Sequence, residues 1–151
     1  MKVTKTMMMV ASVALIAAPM AVPTAAAAQE WPFVGGEYSQ MTGIFIKDGG
    51  GYKYAQYLAT EWARDQEFAK SQGWITGYKM YGNVYAREGE PSIYLVVTFP
   101  SIPDAAEDER RAKAYDAWSK KTIEQNEAAA GNRAEYRTVM GAMLLQEFKK
   151  R

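Results

Sequence analysis

The chain has 151 residues, with 18 Lys and Arg against 17 Asp and Glu, an aromatic set of 4 Trp, 10 Tyr and 5 Phe, and no cysteine or histidine. A balance so near neutral lacks the basic surplus that a nucleic-acid binder sets against phosphates, so no nucleic-acid partner is expected. The missing side chains remove disulfides, Ser-His-Asp and Cys-His nucleophile pairs, conventional zinc sites and histidine-ligated haem. Carboxylate, tyrosine, lysine and arginine chemistry remains open, and no metal or other cofactor is assigned.

Lys2 and Lys5, the apolar run Met7 to Val22 and the small residues Ala26-Ala27-Ala28 have the layout of a secretory signal peptide with an A-x-A cleavage site. The expected division is a signal peptide over 1–28 and a single domain over 29–151. Such a domain is exported, periplasmic or secreted, and keeps no membrane anchor after cleavage. The signal holds two of the basic side chains and none of the aromatic ones, so the exported part stays near neutral and retains all of its core-forming rings.

Thr42 to Lys47 is apolar, β-branched and bounded by glycines, which predicts a first strand. The glycines Gly49-Gly50-Gly51 come next. A Walker loop needs a lysine and a hydroxyl after its last glycine, but Gly51 is followed by Tyr52-Lys53-Tyr54, and the dinucleotide spacing also fails. The triplet therefore reads as a corner that uses positive φ.

Residues from about Tyr52 to Gln72 carry helical spacing and stop at Gly73. At about 100° per residue, Tyr54, Tyr57, Leu58, Trp62, Phe68 and Ala69 share one apolar arc, with Glu61 and Asp65 in its middle. As neighbours on adjacent turns, these two carboxylates are the candidate general acid or base if they face a cavity. The competing reading is a helix that overhangs the sheet, its acids solvated or paired with a cation such as Arg64. Trp74 to Ala86 predicts a second strand, with Tyr81-Gly82-Asn83 as a bulge in it. Arg87 to Pro91 is a turn and Ser92 to Phe99 a third strand. After Pro100 and Pro103 a charged helix is predicted from Asp104 to Gly131, with its acidic residues at the favourable N-terminal end. Thr138 to Phe148 predicts the fourth strand. Arg133 and Arg137 precede it; Arg137 is within reach of the sheet edge or of an anionic ligand, and surface ion pairing is the favoured reading of the two.

This order is β-α-β-β-α-β, the α+β ferredoxin-like plan of a four-stranded antiparallel sheet with two helices on one face. The strands are apolar on both faces. Ile93, Leu95, Val97 and Phe99 oppose Tyr94 and Val96, while Val139, Met143 and Leu145 oppose Met140, Ala142 and Leu144. Two apolar faces need two covers, and the expected second cover is another copy, giving a homodimer packed sheet to sheet. The surviving methionines, Met41, Met80, Met140 and Met143, read as strand packing rather than copper ligands.

The element order, the two-faced sheet, the helix pattern "YAQYLATEW", the strand "SIYLVVTF" and the ending "YRTVMGAMLLQEFKK" resemble the dimeric α/β-barrel superfamily, in particular its small exported bacterial members of unassigned function. That resemblance implies the fold and the dimer. The superfamily spans cofactor-free monooxygenases, haem-degrading and chlorite dismutase-like haem proteins, and stress-responsive proteins. Its haem-handling members rely on a histidine, which this chain lacks, so no catalytic residue carries over.

The leading reading is a non-enzymatic homodimer that binds a small apolar or aromatic ligand between sheet and helices, in a pocket lined by Tyr54, Leu58, Trp62, Tyr78, Lys79 and Tyr81. The alternatives are a cofactor-free monooxygenase or isomerase acting on a small aromatic or polyketide-like substrate, and a structural or stress-response protein with a filled core.

Overall fold

The computed structural model describes residues 30–151, so the expected signal segment over 1–28 and its expected cleavage site lie outside the described residues. Trp31–Arg151 forms one compact unit. Its elements are β1 (Phe33–Ile46), α1 (Gly51–Tyr57), a π-helical turn (Leu58–Trp62), α2 (Ala63–Ser71), β2 (Gly77–Gly82), β3 (Ile93–Phe99), α3 (Ala105–Ser119), α4 (Ile123–Arg133) and β4 (Arg137–Lys150). The strands form one antiparallel sheet in the order β2-β3-β1-β4. With helices in both crossovers, this is the ferredoxin-like α+β plan.

The glycine triplet is the corner that carries β1 into the first helix. Gly49 has φ 74. The Gly50 N–H donates to the Lys47 carbonyl at 2.9 Å, and a Cβ at Gly50 would run into the Tyr136 carbonyl. The corner is pinned to the chain entering β4, where the Lys47 N–H donates to Tyr136 O at 3.0 Å and Lys47 Nζ to Ala134 O at 2.6 Å.

The first helix is continuous from Gly51 to Ser71 but is over-wide at its centre. The Thr60 hydroxyl donates back to the Gln56 carbonyl at 2.8 Å, a competing bond of the kind that bends helices, and the turn around it is π-helical. The core lies between this helix and the sheet. Tyr54 (1% exposed), Ile44 (2%), Leu58, Trp62 and Leu95 are buried together, each side chain contributing about 1.5–3 kcal/mol by its removal from water.

The second crossover departs from the single helix expected over Asp104–Gly131. Lys120 adopts φ 55 and ends α3, then Thr122 starts α4 with a complete capping box, its hydroxyl accepting from Gln125 N while Gln125 Oε1 accepts from Thr122 N. The aromatic contacts of α3 are with α2 and its C-terminal loop. Trp118 stacks on Phe68 with centroids 4.2 Å apart, and Arg111 lies over Trp74.

Two strand boundaries also differ from expectation. β1 begins far earlier than Thr42, because Phe33, Val34 and Gly35 pair with the end of β4 as a two-stranded ribbon before pairing with β3 starts at Tyr38. β2 carries no bulge at Tyr81-Gly82-Asn83; it pairs in unbroken register with β3 and ends at Gly82.

The alternation on β3 is as the sequence predicts. Ile93, Leu95 and Val97 face the helices, and Tyr94 and Val96 the other side. On β4 the expected alternation breaks. Gly141 has φ 125, and the register passes from Gly43↔Gly141 to Ile44↔Val139, leaving Met140 unpaired as a bulge. Val139 therefore joins Ala142 and Leu144 on the helix side instead of Met143 and Leu145. β4 is an edge strand, and its apolar side chains are open on both faces, with Leu144 52% and Met143 50% exposed.

Candidate functional site

A cleft of about 310 Å³ opens between the helix-side face of the sheet and the first helix. Thr42 and Ile44 of β1 and Leu95 and Val97 of β3 form its floor, and Tyr54, Tyr57, Trp62 and Gln66 form its roof. Arg137 and Val139 of β4 close one side, and Gln40 also borders the space.

Local chain chemistry explains how these groups converge. Strand alternation places Gln40, Thr42 and Ile44 on one face. Helical spacing stacks Tyr54 and Tyr57, whose ring centroids are 5.7 Å apart. Trp62 is set edge-on to Tyr78 at 5.3 Å by the π-helical turn. The β4 bulge turns Val139 and Arg137 into the cleft, since an unbroken strand in phase with Met143 would have carried both to the opposite face.

The electrostatics are those of a half-apolar site with a cation at its edge. The Arg137 guanidinium lies 5.8 Å from the Tyr54 ring centroid, and its Nε is buried with no hydrogen-bond partner. Burial pushes the Tyr54 phenol up to about 12, opposed by the positive field of Arg137. Tyr57 is raised in the same way, with Arg133 opposing it from 4.4 Å over its ring. Neutral tyrosines beside a fixed cation can hold an aromatic body and donate hydrogen bonds.

The sequence-predicted pocket residues divide. Tyr54 and Trp62 line the cleft, and Leu58 packs beneath them in the core. Tyr78 faces the same side and supports Trp62, while its hydroxyl donates to Glu67 at 2.7 Å. Lys79 and Tyr81 are not with them. They pair with Val96 and Tyr94, and strand alternation points them to the opposite face of the sheet.

Glu61 and Asp65 come together, but in a different cleft. With Tyr115, Lys121 and Arg133 they border a polar space between the first helix and the α3–α4 segment. Lys121 Nζ donates to Glu61 Oε2 at 3.0 Å, and this bond holds the Glu61 carboxyl below its usual range against an opposing effect of burial. Asp65 pairs with Arg64 at 3.3 Å. The extra width of the π-helical turn displaces the simple 100° wheel, which is why acids in the middle of the apolar arc end beside it. The Tyr115 phenol, raised to about 12 by burial and then by Asp65, completes this cluster.

The lining residues missed from sequence are Gln40, Thr42, Ile44, Tyr57, Gln66, Leu95, Val97 and Val139, together with the inward aim of Arg137. Gly141 inside an apolar strand was the available signal for the last two. Among the described residues, no group of three or more acidic side chains is arranged to hold a metal ion, and no helix is long and apolar enough to cross a membrane.

No family model matches the chain, and no curated protein matches it. Among solved structures, the chain is similar to a crystal structure described as a dimeric ferredoxin-like protein from an uncultured marine organism, with 13% identity, 77% of this chain and 96% of that chain covered, and a TM-score of 0.45. The fold class of the present chain rests on its own strand order and register.

Proposed function

We propose that the protein is an exported homodimer that binds a small aromatic or apolar ligand in the cleft between sheet and first helix. The observation that carries the reading is the cleft itself, a space of about 310 Å³ with Ile44, Leu95 and Val97 beside Thr42 in its floor and two tyrosines and a tryptophan beside Gln66 in its roof. Pockets for small molecules are concave and mostly apolar, with a few polar groups that fix orientation. The filled-core alternative does not account for this space. The oxygenase or isomerase alternative is less supported, because Glu61 and Asp65 border a different cleft and each is ion-paired, Glu61 to Lys121 and Asp65 to Arg64.

The homodimer is supported by β4, whose apolar side chains lack cover on both faces and whose outer edge is unpaired. Phe45, Tyr81, Met143 and Leu145 extend an exposed apolar surface over the face opposite the helices. Export is supported by the signal pattern over 1–28, and intact mass of protein recovered from an exporting bacterial host should place the new N-terminus at or beside Gln29.

The ligand reading is tested by titrating the protein with 2-naphthol while following the methyl resonances of Val97 and Val139. Saturable shifts at these methyls are expected, and Thr42→Phe, whose ring would fill the cleft, should abolish them. Resonances that do not move up to the solubility limit of the probe would end the ligand reading.

A further inference from the structure

We infer that the ligand of this cleft carries a carboxylate, received by Arg137, with its aromatic or apolar body lying against Tyr54 and Trp62. This inference rests on the ligand-binding reading above and names the class of molecule.

Three observations converge on it. First, the chain aims Arg137 inward. The bulge at Met140-Gly141 reverses the alternation of β4, so Arg137 pairs with Ile46 and shares the helix side with Ile44. Bulges commonly re-aim a side chain at a functional site. Second, the guanidinium is left without an anionic partner. Its Nε is buried and unbonded, no ion pair to Arg137 forms among the described residues, and its close neighbour is the Tyr54 ring. A buried donor of this kind needs an acceptor, from a ligand or from water. Third, the acids of the first helix are committed elsewhere, Glu61 to Lys121 and Asp65 to Arg64, so neither neutralises Arg137.

The planar guanidinium fork matches a carboxylate in a bidentate pair, which fixes orientation as well as adding affinity. The rest of the lining is uncharged, with Thr42, Gln40 and Gln66 as its polar members. One cation in an otherwise neutral wall suits a single negative charge on an apolar body, rather than a polyphosphate.

The test compares two probes of one shape, 3-phenylpropanoate and 3-phenylpropanamide, by calorimetry on the full domain. The acid is expected to bind at least about ten-fold tighter than the amide, with the preference shrinking as salt rises. Arg137→Gln should remove the preference for the acid, lowering its affinity far more than that of the amide, and Arg137→Lys should restore part of the preference. If Arg137→Gln fails to fold, the acid-to-amide ratio of the unaltered protein and its salt dependence still decide. Equal binding of the two probes would overturn the carboxylate inference and leave the ligand reading intact. A preference that survives Arg137→Gln but disappears in Arg133→Gln would also overturn it. Binding of neither probe would remove the ligand reading and this inference together.

Discussion

Gly141 combines φ 125 with a position inside an edge strand, a backbone setting that side-chain-bearing residues occupy only at a cost. Gly141→Val should therefore destabilise the domain by about 1–3 kcal/mol, measured as a lower urea midpoint. It should also restore plain alternation and withdraw Arg137 from the cleft. Tyr54 offers a second test at this scale. Its folded-state pKa of about 12 lies above the ordinary phenol value of 10.0, so the folded protein holds the phenolic proton more tightly than the unfolded chain. The resulting stability is complete below pH 10 and is lost as pH rises from 10 towards 12. Urea midpoints should fall across that window, and Tyr54→Phe, which has no phenolic proton to lose, should flatten the fall.

Among the elements, the break between α3 and α4 depends on one side chain. Thr122 accepts from Gln125 N at 3.2 Å and starts the second helix after Lys120 ends the first. Thr122→Ala should cost about 1 kcal/mol, seen by thermal unfolding, whereas Thr122→Ser should be nearly silent. That break also marks where sequence reading stopped working. The run from Asp104 to Gly131 has helical composition throughout, and a capping box inside it was overridden by the surrounding propensity. β3 was legible because a half-apolar strand shows its period directly, from Ile93 to Phe99. The start of β1 was not, since Gly35-Gly36-Glu37 breaks both the apolar pattern and the register, and the pairing that holds it comes from the far end of the chain. Tyr54 and Trp62 could be placed in the cleft from their spacing. Lys79, Tyr81 and the acids could not be assigned correctly without the strand register and the π-helical turn, which depend on tertiary packing.

For the whole molecule, the question is what covers the sheet. Leu95 lies in the core under the helices and Val96 is buried on the opposite side, so a charge at either would damage the protomer itself. Met143 is the better probe, being half-exposed on the face proposed to meet the partner. Met143→Glu should leave far-ultraviolet circular dichroism unchanged while shifting the light-scattering mass from dimer to monomer. A monomer in the unaltered protein would dismiss the assembly.

The long ladder between β1 and β4 also bears on how the domain comes to be folded. It joins Phe33 to Lys150, near the two ends of the described residues, and β1 is an interior strand flanked by β3 and β4. Local hairpins such as β2–β3 can close early, but the sheet cannot be completed until the residues through Lys150 have been synthesised. Non-local pairing of this kind places folding among the slower small domains, in the range of about milliseconds to seconds. During that interval β1 can pair with β3, but its other edge stays open until β4 arrives.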